Sequence, residues 1–310
     1  MISCVIMGGL GNQLFQIYTT IALSIEMKTT FNFPNSKLES DKRSNTYWNS
    51  FLKELNKNTS RVDIKQLKCP LYKEKDFRYN KIQILPELIR KHGSIMLYGY
   101  FQSYKYFDKQ YEQISRYIKL DDSRQAVRNL FYKKYENNNT ISVHFRMGDY
   151  KKLQNCHPIL GDKYYINSIK FILNKTQKNS GESSGETSGE TIQEKGKTKW
   201  KILYFCEEED IVEIKNRIEK IKAGCGGYME SELEFERGGE PRMEDWRQLL
   251  LMSCCQHNII ANSSFSWWAA YFNNSPDKII CYPEKWFGPQ LSQHDTKDLC
   301  PPNWNKISII

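Results

Sequence analysis

The sequence predicts an α/β protein with two parallel sheets, each flanked by helices. Three observations lead to this class. Short apolar segments alternate with longer segments of helical periodicity, the alternation occurs in two separate runs, and a glycine-rich turn follows the first strand. Strands that are separated by helices pair in parallel, so two runs predict two domains with a cleft between them.

The first run has a less regular pattern than the second. It predicts a strand at residues 2–7, a turn at 8–11, a helix from Asn12, a strand at 29–33, a strand at 94–98 and a helix at 104–118. Residues 35–91 are poorly patterned. With 310 residues, the chain is long enough for two medium domains, which we place at residues 1–135 and 136–310.

The second run alternates more regularly. It predicts strands at residues 140–145, 200–206, 257–262 and 278–282, with helices at 162–173, 211–221, 244–256 and 264–272. Residues 176–199 interrupt it with three Ser-Gly-Glu units and few apolar side chains. Such a segment cannot bury enough surface to offset its ordering entropy, so we expect a disordered insert in the second domain.

Composition narrows the class of protein. Nine cysteines without a repeated CxxC spacing favour a reducing compartment and suggest no zinc site. The sequence contains no run of 18 apolar residues, so we expect no integral membrane segment and a cytoplasmic or soluble intracellular protein. The net charge of +9 comes from dispersed Lys and Arg, which disfavours nucleic-acid binding and suits an anionic small molecule such as a nucleotide sugar.

The glycine-rich turn does not match a dinucleotide-binding fingerprint. That fingerprint requires a glycine where Leu14 stands, for close packing of helix and strand. The turn instead places Asn12 and Gln13 at a helix N-terminus, where free backbone N–H groups also point outward. These groups suit a hydroxyl-rich or phosphorylated ligand.

The most informative segment is HFRMGDY at residues 144–150, which ends the first strand of the second domain. Ligands of parallel sheets bind at the carboxyl ends of the strands, and Arg146 can give a planar two-pronged contact to a phosphate there. His144 points the same way. The structural alternative is that Arg146 pairs with Asp149 and that His144 is an ordinary core histidine.

A second informative segment is IIANSSFSWWAAYFN at residues 259–273, which predicts a strand, a hydroxyl-rich turn and a helix. Ser263, Ser264 and Ser266 surround the helix N-terminus, which presents N–H groups and partial positive charge to an anion. One of the three serines is expected to be an ordinary N-cap. Trp267 and Trp268 are expected in the helix core rather than as platforms for a sugar.

These segments resemble the motifs of glycosyltransferase family 11, the α-1,2-fucosyltransferases. HFRMGDY is similar to the H-x-R-x-G-D-Y signature, IIANSSFSWWAAYFN to the third motif, GGLGNQLFQ at residues 8–16 to the N-terminal motif, and GYFQSYKYF at residues 99–107 to the GYFQ segment. The four motifs occur in the family's order. The resemblance covers nearly the whole chain outside residues 36–90 and the insert.

The resemblance implies a GT-B-type fold, with two Rossmann-like parallel-sheet domains facing a cleft. It also implies GDP-fucose as donor, inversion at the anomeric carbon, an oligosaccharide acceptor of the galactose type and no metal cofactor. Arg146 is then the main catalytic residue, with His144 and Asp149 shaping its loop. The donor-binding residues that it implies are Gly9, Gly11, Asn12, Gln13, Arg146, Glu207, Glu208, Asn262, Ser263, Ser264, Phe265 and Ser266.

The sequence departs from the family directly after Ile202-Leu203-Tyr204-Phe205, at the end of the strand predicted at residues 200–206. The family has Ser-Asp-Asp there, whereas this chain has Cys206, Glu207 and Glu208. A carboxylate at this point can bind the guanine edge, but the longer Glu side chain leaves base selection open. The acidic run Glu207-Glu208-Glu209-Asp210 could also bind a metal, as in GT-A enzymes, although it lacks an Asp-x-Asp spacing. The identity of a catalytic base stays open.

Three functions remain compatible with the sequence. The leading one is an inverting α-1,2-fucosyltransferase that acts on a galactoside. A fucosyltransferase of other linkage and an inactive nucleotide-sugar or glycan-binding module are the alternatives. We expect the determinants of the acceptor in residues 36–90.

Overall fold

The computed structural model describes residues 1–34, 47–60, 62, 68–181, 198–226 and 231–309. The chain divides into two compact units. Unit 1 consists of Met1–Ala126 and Ser292–Pro302, and unit 2 of Val127–Leu291 and Asn303–Ile310. Near its end, therefore, the chain returns to unit 1 for 11 residues before it finishes in unit 2.

Unit 1 contains a five-stranded sheet. Its strands are β1 (Ile2–Cys4), β2 (Phe31–Pro34), β3 (Thr59–Ser60), β4 (Leu71–Lys73) and β5 (Ile95–Tyr98), in the order β3-β2-β1-β5-β4. Neighbouring strands pair in parallel. Its α-helices are α1 (Leu10–Glu26), α2 (Pro86–His92), α3 (Tyr111–Tyr117) and α4 (Leu120–Val127), of which the last residue already belongs to unit 2.

Helix α1 is the central helix of unit 1. Gly9 is its N-cap, so the helix begins two residues before the predicted start at Asn12 and includes Gly11. The sequence predicts an apolar face through Leu14, Ile17, Ile21 and Ile25, of which the first three are buried and Ile25 is half-buried. At roughly 1.5 to 3 kcal/mol for each fully buried aliphatic side chain, this burial far exceeds what helix propensity contributes.

The continuous helix predicted at residues 104–118 is wrong. Two short 3₁₀ turns, Tyr104–Tyr106 and Asp108–Gln110, precede α3. The side chain of Ser103 accepts a hydrogen bond from the backbone N–H of Lys105, and Phe107 has an extended φ of −141° between the turns. The fully buried Phe107 ring packs against Phe15, so tertiary packing overrides the local helical pattern.

Unit 2 contains a six-stranded sheet. Its strands are β6 (Asn139–His144), β7 (Thr198–Phe205), β8 (Ser231–Arg237), β9 (His257–Ile259), β10 (Ile280–Pro283) and β11 (Asn305–Ile307), in the order β11-β10-β9-β6-β7-β8. Its longer helices are α5 (Asp162–Gly181), α6 (Ile211–Cys225), α7 (Asp245–Ser253) and α8 (Ser264–Phe272).

All strand pairs of this second sheet are parallel, and the order corresponds to 3-2-1-4-5-6, which is the Rossmann order. Ile141 and Val143 of β6 lie in one buried cluster with Ile169 of α5, Ile218 of α6 and Ile259 of β9. The two units confirm the predicted α/β class with two parallel sheets.

Strand β8 is absent from the sequence-based prediction. Its sequence, SELEFER, alternates Glu with apolar residues, and it pairs with β7 through seven aligned positions. Lys199 and Lys201 of β7 form ion pairs with Glu232 and Glu234 of β8, at 3.4 Å and 2.5 Å. One face of this edge strand is charged, so its period-two alternation was not recognised as a strand from the sequence. The pairing with β7 shows that it is one.

The disordered insert predicted at residues 176–199 is wrong at both ends. Residues 176–181 are the last residues of α5, and residues 198 and 199 begin β7. Residues 182–197, which carry most of the Ser-Gly-Glu units, lie outside the described residues.

Two further sequence features can be located. All nine cysteines are free thiols, and seven of them are buried. Within the described ranges, none of the helices combines the length and the apolar character that crossing a membrane requires.

Candidate functional site

The candidate site of unit 2 lies where the strand order reverses. The chain runs from β6 outward through β7 to β8, and then crosses to β9 on the other side of β6. Loops that leave the carboxyl ends of β6 and β9 therefore diverge, and the crevice that they leave is where parallel sheets bind ligands. These two loops lie in the segments at residues 144–150 and 259–273, which carry the two motifs of unit 2.

Arg146 follows β6 at this edge and is held by two carboxylates. Its Nη2 donates to Oδ1 of Asp149 at 2.6 Å, and its Nη1 donates to Oε1 of Glu207. The guanidinium also lies over the ring of Tyr150, 5.2 Å from the ring centroid. The Arg146–Asp149 pair is the one that the structural alternative proposed. Arg146 keeps about a quarter of its side chain exposed, so a ligand can still reach it.

A buried carboxylate positions the loop that carries Arg146. Asp210 is fully buried, and its Oδ2 accepts a hydrogen bond of 2.9 Å from the backbone N–H of Gly148. Its Oδ1 accepts one of 2.6 Å from Nζ of Lys151. Charge-assisted bonds of this kind are stronger than neutral ones, so Asp210 fixes the 3₁₀ turn Gly148–Lys152.

The turn also requires a residue without a side chain at position 148. Gly148 has φ +28°, and a Cβ there would lie 2.0 Å from Oε2 of Glu207. The contact explains why glycine stands between Arg146 and Asp149: any larger residue would displace the carboxylate that pairs with Arg146.

The loop after β9 uses its serines in three ways. Ser263 is the N-cap of α8 and accepts a hydrogen bond from the backbone N–H of Phe265. Ser266 is buried, accepts from the backbone N–H of Ala261 at 3.2 Å, and so closes the turn. Ser264, the first residue of α8, is partly exposed. The prediction of one ordinary cap among the three serines is confirmed, and the helix N-terminus faces the switch point.

Asn262 connects the two loops. Its Nδ2 donates to the carbonyl oxygens of Pro158 and Trp286, at 3.0 and 3.1 Å, and its own carbonyl accepts from the hydroxyl of Tyr150 at 3.0 Å. Oδ1 of Asn262 is buried and has no hydrogen-bond partner among the residues that the structure describes. Tyr150 stacks in turn on the ring of His157, with centroids 4.9 Å apart.

His144 is the last residue of β6 and is buried. Burial, and to a lesser extent the nearby charge of Arg146, lower its pKa to about 3. The imidazole is therefore neutral at pH 7 and accepts a proton poorly, which makes it a weak general base. Its Nδ1 has no hydrogen-bond partner within the described part of the chain. His144 packs against the ring of Phe265, 5.5 Å between centroids.

The two glutamates that depart from the family motif have different partners. Glu207 pairs with Arg146, and burial raises its pKa, an effect that Arg146 opposes. Glu208 accepts from Nη2 of Arg237 at 2.5 Å and from the backbone N–H of Arg242 at 3.1 Å. Among the described residues, no group of three or more His, Cys, Asp or Glu side chains could hold a metal ion.

The predicted residues of the glycine-rich turn belong to unit 1 and lie at the N-terminus of α1, after β1. Oδ1 of Asn12 accepts a hydrogen bond of 2.8 Å from Nε2 of Gln102, which follows β5. Gln13 is buried, and its amide donates to the carbonyl of Gly8 at 2.9 Å. Since β1 and β5 are the strands at which the order of the first sheet reverses, this amide pair lies at that sheet's own switch point.

Gly9 and Gly11 have different roles in this turn. Gly9 is the N-cap of α1, and a Cβ there would meet nothing within 4 Å. Gly11 is a buried residue of the first helical turn. The position that needs glycine is Gly8, which has φ +75° and where a Cβ would lie 2.6 Å from the side-chain amide of Asn12.

Sequence reasoning missed two residues of these sites. Asp210 was seen only as the end of an acidic run, and Gln102 only as part of a motif. In both cases the signal was a polar residue shortly after a strand, at the carboxyl edge where parallel sheets gather their ligand-binding loops.

Fold and site together define an α/β protein in which a guanidinium held by two carboxylates and a helix N-terminus lie at the switch point of the second sheet. Residues 208–308 match the family model described as glycosyl transferase family 11. The chain is a glycosyltransferase, and the resemblance to family 11 that its four motifs predict is confirmed.

Two curated relatives from Escherichia coli are named as glycosyltransferases. The chain is 26% identical to an alpha-1,2-colitosyltransferase over 327 aligned residues, which cover 97% of this chain and 96% of the relative. It is 28% identical to the O-antigen biosynthesis glycosyltransferase WbnK over 209 residues, which cover 65% of this chain and 58% of the relative.

Solved structures with lower similarity include two fucosyltransferases. A structure of Arabidopsis thaliana FUT1 in complex with GDP matches with a TM-score of 0.47 and 11% identity, over 97% of this chain and 74% of that one. Fucosyltransferase NodZ from Bradyrhizobium matches with a TM-score of 0.42 and 11% identity, over 86% and 90%.

Proposed function

We propose that this glycosyltransferase transfers L-fucose from GDP-fucose, with inversion, to a hydroxyl group of a galactose-type glycan in α-1,2 linkage. The observation that carries the proposal is Arg146 at the carboxyl end of β6, beside the N-terminus of α8 in the same unit. The α-1,2 linkage is supported by the four family motifs and by the name of the colitosyltransferase relative.

The chemistry requires stabilisation of a leaving diphosphate. The acceptor oxygen attacks the anomeric carbon, the bond from that carbon to the β-phosphate oxygen breaks, and GDP leaves with the bonding electrons. Negative charge grows on the diphosphate as the bond breaks. A planar guanidinium and backbone N–H groups that are already in place stabilise this charge without reorganisation.

A metal ion is not part of the proposal. Arg146 and the N-terminus of α8 supply positive charge at the point where the diphosphate would bind. We therefore expect full transfer activity in EDTA. Activity that disappears in EDTA and returns with Mn²⁺ or Mg²⁺ would assign the acidic run at residues 207–210 to metal binding.

Proton transfer from the acceptor need not involve a strong base. His144 is too weak a base at neutral pH because its pKa lies at about 3. The carboxylate of Asp149 is engaged with Arg146. We propose an oxocarbenium-like transition state in which the hydroxyl proton passes to solvent water or to the departing diphosphate only after the new C–O bond has largely formed.

One experiment separates the candidate functions. Purified protein is incubated with GDP-fucose and a panel of galactosides, the product is weighed by mass spectrometry, and the linkage is read by NMR. An α-1,2-fucosylated galactoside supports the proposal. A fucosylated product with another linkage would keep the proposed transfer of fucose and replace the α-1,2 linkage. Binding of GDP without transfer from GDP-fucose or from a nucleotide-activated colitose donor would instead show an inactive binding module.

A second candidate is transfer of colitose, which the name of the full-length relative favours. The same assay with a nucleotide-activated colitose donor decides between the two sugars. A higher kcat/KM for the colitose donor than for GDP-fucose would reassign the donor and leave the role of Arg146 unchanged.

A further inference from the structure

The loop at residues 99–102, which follows β5 in unit 1, is tied to the segment that follows β1. The link is Gln16 of α1, which is buried. Its Oε1 accepts a hydrogen bond of 2.9 Å from the backbone N–H of Met7, and its Nε2 donates one of 3.1 Å to the carbonyl of Gly99. Gln16 therefore joins the two chain segments that leave the switch point of the first sheet.

Glu74 holds the same loop from the other side of β5. It follows β4, and its Oε2 accepts a hydrogen bond of 2.7 Å from the backbone N–H of Tyr100. Its carboxylate also accepts one from the backbone N–H of Phe101. Gly99 leaves room for this side chain, because a Cβ at that position would lie 2.4 Å from Cβ of Glu74. Two successive backbone donors of the loop thus converge on one carboxylate.

The surroundings of Glu74 are unusual for a carboxylate. The side chain is half-buried, and it forms no ion pair with any residue that the structure describes. Burial raises its pKa, while the two backbone N–H groups act in the opposite direction. A carboxylate removed from water is ordinarily paired with a cation, whereas Glu74 bonds to the backbone of this loop. Its desolvation therefore serves the conformation of the loop.

Phe101 shows that the loop is held in an unfavourable conformation. Its φ is +52°, a value that a bulky side chain rarely adopts. The side chain is fully buried, and its ring packs against Tyr106 at 5.5 Å between centroids. A conformation of this kind persists only where the surrounding contacts determine it, and such positions concentrate at functional sites. The residue that this turn directs is the next one, Gln102.

Gln102 presents a fixed amide at the switch point of the first sheet. Its Nε2 donates to Oδ1 of Asn12 at 2.8 Å, which sets the orientation of the amide. Its Oε1 accepts no hydrogen bond from the described part of the chain, and the side chain is half-buried. An amide oxygen has two lone pairs and accepts readily from a hydroxyl group. Ligands of parallel sheets bind at this edge, so the oxygen lies where a ligand is expected.

We propose that Gln102 is a further substrate-binding residue, whose amide oxygen accepts a hydrogen bond from a hydroxyl of a sugar ring, and that Glu74 is the positioning residue that holds it in place. The proposal rests on the proposed function, since the sugar belongs to the donor or to the acceptor of the transfer. Glu74 acts through the loop and does not touch the substrate.

A double-mutant cycle in the full chain tests whether the two residues act together. Gln102→Ala should lower kcat/KM about fivefold, the value of one neutral hydrogen bond. Glu74→Gln turns an amide N–H toward a backbone donor, so the loop shifts and kcat/KM should fall by a similar factor. In the double variant, the second substitution should add less than about twofold, because the contact is already lost.

The Michaelis constants identify the source of the hydroxyl. In Gln102→Ala, a raised KM for GDP-fucose with an unchanged KM for the galactoside assigns the hydroxyl to the donor. The reverse result assigns it to the acceptor. Both results support a binding role for Gln102.

Two control variants make the same chemical changes elsewhere in unit 1. Glu87→Gln alters an exposed glutamate of α2 that pairs with Arg90, and Gln113→Ala alters an exposed glutamine of α3. Each should leave kcat/KM within about twofold of the wild type, since exposed side chains contribute little.

Hydrogen–deuterium exchange of the free protein tests the role of Glu74 without any substrate. Glu74→Gln should speed exchange in the peptide that contains Tyr100 and Phe101, whereas Glu87→Gln should not. Thermal unfolding shows whether each variant is folded. Glu74→Asp, which keeps the charge and shortens the side chain by one methylene group, replaces Glu74→Gln if that variant does not fold.

Three results would overturn the proposal. They are wild-type kcat/KM in Gln102→Ala, effects of the two substitutions that simply multiply in the double variant, and unchanged exchange in Glu74→Gln. The kinetics use whichever donor the wild type accepts, GDP-fucose or the colitose donor. A wild type that transfers neither sugar overturns the proposed function and with it the substrate role of Gln102, whereas the three results above arise with an active wild type and overturn the present proposal alone.

Discussion

The guanidinium of Arg146 is paired with the carboxylate of Glu207, which follows the neighbouring strand of the same sheet. Gly148 lies directly against that carboxylate and leaves room for it. Arg146 thus already holds an anionic group in the free protein. A donor diphosphate has to share this guanidinium with Glu207 or displace it.

Replacement of Arg146 by lysine tests the proposed role of the guanidinium. Lysine keeps the charge but loses the planar pair of donors, so Arg146→Lys should lower kcat with GDP-fucose by about 10² or more. Binding should suffer less than turnover, because these bonds strengthen as the leaving group gains charge. Steady-state kinetics of the purified variant give both values.

The matched control is Arg128→Lys, which changes an arginine paired with Glu136 in the same unit. It should leave kcat within about twofold, since a surface ion pair contributes little. A folded Arg146→Ala protein with near-normal turnover would show that Arg146 only pairs with Asp149 and Glu207.

Removal of the charge of Glu207 should strengthen GDP binding. Glu207→Gln abolishes both the competition for Arg146 and the repulsion of the diphosphate, so we expect GDP to bind about tenfold more tightly, which corresponds to about 1.4 kcal/mol. Isothermal titration calorimetry at pH 7 measures the change. Glu209→Gln removes the same charge two residues away, from an exposed side chain, and should change the affinity less than twofold. Equal effects of the two variants would point to general electrostatics instead of competition at Arg146.

Asp210 should matter for turnover although it is fully buried beneath the loop. Asp210→Asn keeps the size of the side chain and removes the charge that holds Gly148 and Lys151, so Arg146 loses its fixed position. We expect kcat to fall about tenfold and the free energy of unfolding to fall by about 1 to 3 kcal/mol.

Glu213→Gln provides the comparison for Asp210, because Glu213 contacts the same Lys151 at 3.0 Å from an exposed position. This variant should lose less than about 0.5 kcal/mol and keep its turnover. If both variants behaved alike, the buried hydrogen bonds of Asp210 would not be what holds the loop.

Stability should decrease in mild acid because of His257. Burial lowers the pKa of His257 to about 4, and its Nδ1 accepts a hydrogen bond from the backbone N–H of Ile279. The unfolded chain binds a proton near pH 6.5, while the native chain resists protonation until about pH 4. The native state is therefore penalised as the pH falls through this window, by about 2 kcal/mol at pH 5.

Urea unfolding between pH 7 and pH 4.5 measures this contribution. His257→Gln should show a smaller loss of stability over the window than the wild type, and His92→Gln at the exposed end of α2 should show the wild-type loss. A His257→Gln curve parallel to that of the wild type would mean that His257 is not a source of the acid sensitivity.

The sequence by itself determined the class of fold and the location of the two loops that form the candidate site. The alternation of strands and helices requires parallel pairing, and parallel pairing places every strand's carboxyl end at one edge of the sheet. The positions of Arg146 after β6 and of Ser263 after β9 follow from that rule alone. The α8 bounds were correct to the residue, because a serine cap and a compact apolar segment are local signals.

The tertiary structure alone decided which groups meet at that edge. The distance from Glu207 to Arg146, the neutral state of His144 and the support from Asp210 depend on how β6 and β7 pair and on what covers their ends. Burial of a charge or an imidazole is set by every element packed around it. No window of sequence contains that information, whereas the period of a strand or a helix is complete within one.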